Sequence, residues 1–283
     1  MKKTAFIFTL ICWIGAFAAD PALHCGDDIT KVEGILAELK YSDLSPGEKR
    51  AAVAEYFIGS PADDYYTADS VASLIVNVDS FSPLMFVNNV MALVKAADTP
   101  GNTDWNTYFK ELENISCRRG ENTGFTSLMY HTSDWIGDNV SRGNITELTE
   151  NYSGVVARTK SLDEMTRHRN NFAALADSAT FETVRMTEMG FRTHRVPTLK
   201  KETIKKKEIT DDLLDGDIII LVPNRDGIDC YDIGIVKKEN GLPYLIHLSP
   251  QLHAVVREKD DLARYMNIMT KHFQGYRIIR PRD

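Results

Sequence analysis

Cysteine is scarce in this chain, with four among 283 residues. Cys12 lies in an apolar leader, which leaves Cys25, Cys117 and Cys230. In an oxidising compartment an odd number leaves at least one unpaired, and which of the three pair stays open. Their spacing matches no zinc pattern, and the H-x-x-x-H and H-E-x-x-H arrangements are missing. Long apolar runs are missing too. The run from Thr4 to Ala16 is too short to span a bilayer as a helix, so the chain is not expected to span a membrane. Excess positive charge is also absent: the formal net charge is −7, which argues against nucleic acid and anionic membrane surfaces as partners. The one basic run, Lys200, Lys201, Lys205, Lys206 and Lys207, reads as a solvated helix face or loop. There is no internal repeat, low-complexity segment or domain linker.

What is present begins with a leader. Lys2 and Lys3 precede the apolar run, and Ala16-Phe17-Ala18 is a small-residue cleavage site, so residues 1–18 read as a signal peptide. Residues 19–283 are then expected to form one exported domain, long enough to bury a full core.

The first half reads helical. Ile29, Val32, Ile35, Leu36 and Leu39 recur at helical spacing. Ser45-Pro46-Gly47-Glu48 has the form of a cap and first turn for a helix through Phe57. Ser82-Pro83 starts a helix that is apolar nearly all round (Leu84, Met85, Phe86, Val87, Val90, Met91, Leu93, Val94), as suits the centre of a domain. Further helices are expected over Trp105–Leu112 and Asn170–Met189. From Leu213 onward the pattern turns to strands: Ile218–Val222, Tyr231–Lys237, Tyr244–Leu248, Val255-Val256 and Tyr276–Ile279. Asn240-Gly241 between two of them is a hairpin signal. The expectation is an α+β fold, N-terminal helices packed on a C-terminal antiparallel sheet.

The segment Leu74–Leu93 resembles the motif L-x-V-N-x-D-x-F-D-C-x-T-F-V-E-N-V-x-A-L of the secreted N-acetylmuramoyl-L-alanine amidase-like proteins. These are the DUF1460 group, relatives of the NlpC/P60 cysteine peptidases. The resemblance continues through Arg50–Pro61, Leu112–Trp135, Ser161–His168, Leu214–Ile218, Asp229–Val236, Leu245–Ser249 and Gly275–Arg280. It implies a papain-like NlpC/P60 fold. It also implies a cysteine nucleophile at a helix N-terminus, a histidine base on a facing strand and a polar third residue that holds the ring.

Two of those three roles have lost their residue. The nucleophile position is Pro83, which has no nucleophilic side chain, and the base position is Asp232; the third position is retained as His247. The family's turn tyrosine is Ala62, its arginine and histidine are Leu128 and Tyr130, and its helix glutamate is Asn88. Fold-shaping positions such as Phe86, Val87, Ala92, Leu93, Trp135, Gly216, Asp217 and Gly234 match. The resemblance therefore implies an exported, periplasmic and catalytically inactive amidase-like protein, which binds a peptidoglycan-derived peptide or an envelope protein and uses no cofactor.

The candidate ligand-binding residues are Ser82, Arg118, Tyr130, His131, Asp232, His247 and Ser249, with Asp232 and Arg118 as partners for a peptide's charged ends. The alternative is an active amidase or peptidase with a relocated nucleophile. If the hairpin turns at Asn240-Gly241, residue numbers summing to about 481 face each other, and Asp232 and His247 share a face. Ser82, His247 and Asp232 then supply the residue types of a serine triad. Against it, an N-cap serine normally gives its oxygen to the first-turn N–H groups. Cys117 is a further displaced thiol with nothing nearby in sequence to activate it, and Cys230 reads as a buried inert one. Zinc held by Asp232, His247 and His253 lacks any compact motif.

Overall fold

A computed structural model describes residues 26–63, 74–101 and 103–283. The leader, Cys12 and Cys25 lie outside the described residues. Helices α1 (Gly26–Lys40), α2 (Pro46–Tyr56), α3 (Pro83–Asp98), α4 (Trp105–Ser116) and α5 (Thr132–Ser141) come first. Strands β1 (Ile145–Glu147) and β2 (Val155–Lys160), helices α6 (Glu164–Arg167) and α7 (Ser178–Met189), and strand β3 (His194–Lys200) fill the middle. Helix α8 (Lys207–Asp212), strands β4 (Ile218–Pro223), β5 (Asp232–Glu239), β6 (Leu242–Ser249) and β7 (Ala254–Arg257), helix α9 (Leu262–Ile268) and strand β8 (Phe273–Pro281) complete the chain.

Local chemistry explains the starts of these elements. Ser45 and Glu48 form a reciprocal capping box at α2: the Ser45 amide donates to the Glu48 carboxylate at 2.9 Å, and the Glu48 amide donates back to Ser45 Oγ. Pro83 opens α3 at the position where a missing N–H costs nothing. The turn between β5 and β6 places Asn240 and Gly241 at positive φ (51° and 80°), as a two-residue hairpin requires. Gly234 faces His247, so the expected register is the observed one.

The described strands form one antiparallel sheet in the order β2-β3-β8-β4-β5-β6-β7, with β1 also pairing with β8. One face carries α3 on Ile218, Ile220, Ile233, Ile235, Ile246 and Leu248. The opposite face (Ile219, Leu221, Val236, Leu245) packs on Ile209 of α8 and Leu262, Tyr265 and Met266 of α9. A third, small cluster (Met165, Phe172, Leu175, Val184) is built by the segment around α6 and α7. The mixed α+β architecture is the expected one.

Two local expectations need correction. The helix expected over Asn170–Met189 begins only at Ser178, because Asp177 accepts the Thr180 amide at 2.8 Å and caps there; short 3-10 turns precede it. The sheet also recruits strands β1, β2 and β3 from the middle of the chain, so helices and strands are less segregated than the pattern suggested. Pro197 hides β3 from a sequence reading. It is tolerated because β8 pairs with β3 only at Leu199 and Lys200, leaving Pro197 with β2 alone.

Gly234 is a point of close approach between strands. A Cβ there would lie 2.6 Å from the Ile246 carbonyl oxygen and 2.7 Å from His247 Cβ. Gly234→Ala is expected to destabilise the protein by about 2–3 kcal/mol, read as a lower urea midpoint at unchanged slope. A midpoint equal to wild type would show that the two strands have room to part.

Candidate functional site

The N-terminus of α3 opens into a cavity of about 660 Å³. Several parts of the chain wall it. The first turns of α3 contribute Ser82, Pro83, Met85 and Asn88; the stretch from the end of α4 to the start of α5 contributes Ser116, Arg118, Leu128, Tyr130 and His131; the approach to β5 contributes Asp229, Cys230, Tyr231 and Ile233. Met165, Val184 and Glu188, from α6 and α7, close it from the side of the small third cluster.

Buried charge holds this wall together. Asp229, 1% exposed, accepts the Thr132 amide at 3.1 Å and the Ser133 amide, both at the start of α5. A carboxylate suits a helix N-terminus, where free N–H groups and the helix dipole converge. Burial alone would raise its pKa, but the His131 charge, the Ser133 bond and Arg277 bring it below the ordinary carboxylate value. His131 Nε2 lies 2.9 Å from Glu188 Oε1, and Glu188 also accepts the Met165 and Thr166 amides, each at 3.0 Å. Burial opposes a charged His131 ring, but the bond to Glu188 and the charges of Asp229, Glu188 and Asp134 overcome it and raise its pKa. Arg118 Nη1 reaches both oxygens of Asp134 at 2.6 Å.

Ser82, Arg118, Tyr130, His131 and Ser249 all line the cavity. Ser82 makes no side-chain capping bond to α3, contrary to the expectation for an N-cap serine. Ser249 Oγ donates to Gln251 Oε1 at 3.2 Å and accepts the Leu252 amide. Arg118 stands at the wall but is held by Asp134 rather than offered to a ligand.

Asp232 and His247 do not join them. They leave the sheet on the face that carries α9, alternating with Ile233, Ile246 and Leu248, which face α3. His247 Nδ1 lies 2.7 Å from Asp232 Oδ2 and its Nε2 lies 2.9 Å from Glu258 Oε1, while the Tyr265 hydroxyl donates to Asp232 Oδ2 at 2.8 Å. Both residues are essentially inaccessible, at 1% and 0% exposure. The predicted shared face of Asp232 and His247 is therefore right. The triad with Ser82 is not assembled, because the sheet stands between them. Asp232 is also not placed to meet a ligand amine. His253, the third residue of the zinc alternative, stands exposed at the cavity rim, away from the Asp232–His247 pair.

Neither of the described thiols, Cys117 and Cys230, is an activated nucleophile. Burial pushes Cys117 up to about 12. Cys230 lines the cavity, but burial and the nearby Asp229 and Asp232 charges lift its pKa well above the ordinary thiol value. Among the described residues no group of three or more His, Cys, Asp or Glu side chains is arranged to hold a metal ion, and no helix is long and apolar enough to cross a membrane.

A model of the N-acetylmuramoyl-L-alanine amidase-like family matches residues 52–272. The chain belongs to this family. An N-acetylmuramoyl-L-alanine amidase from Bacteroides uniformis is similar in structure, with a TM-score of 0.73 at 23% identity over 84% of this chain and 99% of that one. A Bacteroides fragilis protein described as a putative xylanase gives a TM-score of 0.70 at 25% identity over 81% and 99%. A Legionella pneumophila protein of the DUF1460 group gives 0.69 at 14% identity over 91% and 95%. Among curated proteins no relative is found. The family's fold positions account for the buried set Phe86, Val87, Ala92, Leu93 and Trp135. Sequence reasoning missed Asp229 and Glu188. Asp229 lay inside a segment that resembles the family, whereas Glu188 gave no signal, since its role depends on α7 meeting His131.

Proposed function

We propose that this amidase-like chain is exported to the periplasm and binds a peptidoglycan-derived peptide or an envelope partner without cleaving it, the ligand seated in the α3 cavity. The observation that carries the reading is Pro83 at the first position of α3, where a nucleophile would need to stand. Proline supplies no thiol, hydroxyl or amine. The base position is equally empty of chemistry: Asp232 is sequestered on the far face of the sheet with His247 and Tyr265. The neighbouring thiols are held protonated, and the one hydroxyl beside Pro83, that of Ser82, has no imidazole within its cavity other than His131, which is engaged by Glu188, and His253 at the rim. Nucleophilic catalysis falls off steeply when members of its constellation are missing. The cavity itself survives, with a volume in the usual range for small-ligand sites.

Purified protein lacking residues 1–18 should leave cell-wall muropeptides intact by mass spectrometry, beside an active family member that cleaves them. Pro83→Ala should leave binding unchanged and shift stability by less than about 1 kcal/mol, since proline at a first helical turn acts mainly by restricting the unfolded chain. Clean cleavage that disappears in Ser82→Ala would overturn the non-catalytic reading.

A further inference from the structure

We propose that the α3 cavity takes a flexible acyl chain, so that the ligand is a single-chain amphiphile whose polar head stays at the mouth. This rests on the reading of the cavity as a binding site and adds what enters it.

The wall is apolar on opposite sides. Met85, Leu128, Ile233 and Leu248 line it from the main core, while Met165 and Val184 line it from the small cluster around α6 and α7. Methionine side chains are unbranched and polarizable, and surfaces rich in them adapt to flexible apolar guests. Protein interiors are otherwise close-packed, so an apolar concavity of about 660 Å³ marks a place where something apolar is received.

The charges of the wall are directed at one another. Arg118 is paired with Asp134, His131 with Glu188 and Arg225 with Glu164, while Asp229 is committed to the α5 amides. Asp232, which would have met a peptide amine, lies outside the cavity altogether. A free ammonium or carboxylate drawn inside would lose its hydration and meet no charge that is not already engaged; the unpartnered buried polar atoms of the lining, Asn88 Oδ1, His131 Nδ1 and Thr132 Oγ1, offer only single hydrogen bonds. Asp63 and His253 stand exposed at the rim, where a charged or hydrogen-bonding head can remain in water. The arrangement accepts an alkyl chain and keeps the polar end out.

The test is a chain-length ladder. N-acyl-L-alanines with acyl groups from four to twelve carbons, and the matching free fatty acids, compete with N-phenyl-1-naphthylamine for the protein below their micelle concentrations. Each added methylene is expected to tighten Kd roughly fourfold until the cavity is filled, after which affinity levels off. Leu128→Trp and Val184→Phe fill the cavity from opposite sides, and each should weaken the longest ligand at least tenfold; thermal melts establish which variants are folded. A ladder shared by both series assigns the chain alone as the determinant, and one confined to the acyl-alanines adds the amide head. A flat ladder beside an unmodified muropeptide that binds, and is lost in the filled variants, overturns the acyl chain and leaves the binding-protein reading standing. A rising ladder untouched by either folded variant places the chain elsewhere and overturns the proposal, as does failure of every acyl ligand to bind. Muropeptide cleavage would remove the non-catalytic reading instead.

Discussion

Asp232→Ala is expected to cost about 3–5 kcal/mol of folding stability and to remove most of the protein's loss of stability in alkali. Asp232 is buried with His247, Tyr265 and, through the ring, Glu258. Removing one member of a buried charged set leaves the others without compensation. Burial by itself lowers the His247 pKa, but the charge and contacts of Asp232 and then Glu258 overcome it and raise the value from 6.5 to about 9.

A histidine raised in the folded state contributes stability that is complete below its unfolded pKa and is lost as pH rises through the folded one. The contribution is therefore full below about pH 6.5 and gone above about pH 9, with a span of about 3 kcal/mol from the shift. Urea melts of wild type and Asp232→Ala at pH 6 and pH 10 measure it. The wild type should lose the larger amount between the two. Parallel losses would mean that His247 is not charged in the folded protein.

The second large effect is expected at Glu188. Its carboxylate accepts from His131 Nε2, the Met165 amide, the Thr166 amide and the Thr166 hydroxyl, tying α6 and α7 to the start of α5. Glu188→Ala leaves buried amides without an acceptor and a buried imidazole without its counter-charge. The expected loss is about 3–5 kcal/mol, together with at least tenfold weaker binding in the cavity that this segment closes.

The two partners titrate in opposite senses. The hydrogen bonds from His131 and Thr166 hold Glu188 below its usual pKa against burial, so its contribution is present above the unfolded value near 4.5 and lost as acid protonates it. His131 is raised, so its share is present below 6.5 and fades as pH climbs through its folded pKa. The pair is strongest in the window between. Glu188→Gln, which keeps the shape, should retain part of the stability and lose this acid limb. Amide exchange over residues 161–191 would report the loosening directly. Unchanged protection there in Glu188→Ala would show that the apolar cluster of Met165, Phe172, Leu175 and Val184 holds the segment unaided.

Much of the site was legible because short-range chemistry governs it. Ser82-Pro83 is a helix start on local grounds, and the apolar surround of α3 required a central position. The Asn240-Gly241 turn set a register that placed His247 beside Asp232. What the turn could not say was which face of the sheet that pair would occupy. Alternation along a strand separates two sets of side chains, but it does not state which set meets α3 and which meets α9. The triad with Ser82 failed on that point. Strand β3 escaped notice because Pro197 argues against a strand unless its far side is known to be unpaired.

The sequence by itself determined the family, the α+β class and the pairing of β5 with β6. These follow from residue identity, from caps and turns that act over a few positions, and from the order of matched segments. Only the tertiary structure decided that Asp232 and His247 turn away from the cavity, that Arg118 is held by Asp134, and that Glu188 reaches His131 across 57 residues of chain. Such contacts depend on how distant elements pack, and no local pattern encodes the partner that a buried charge will meet.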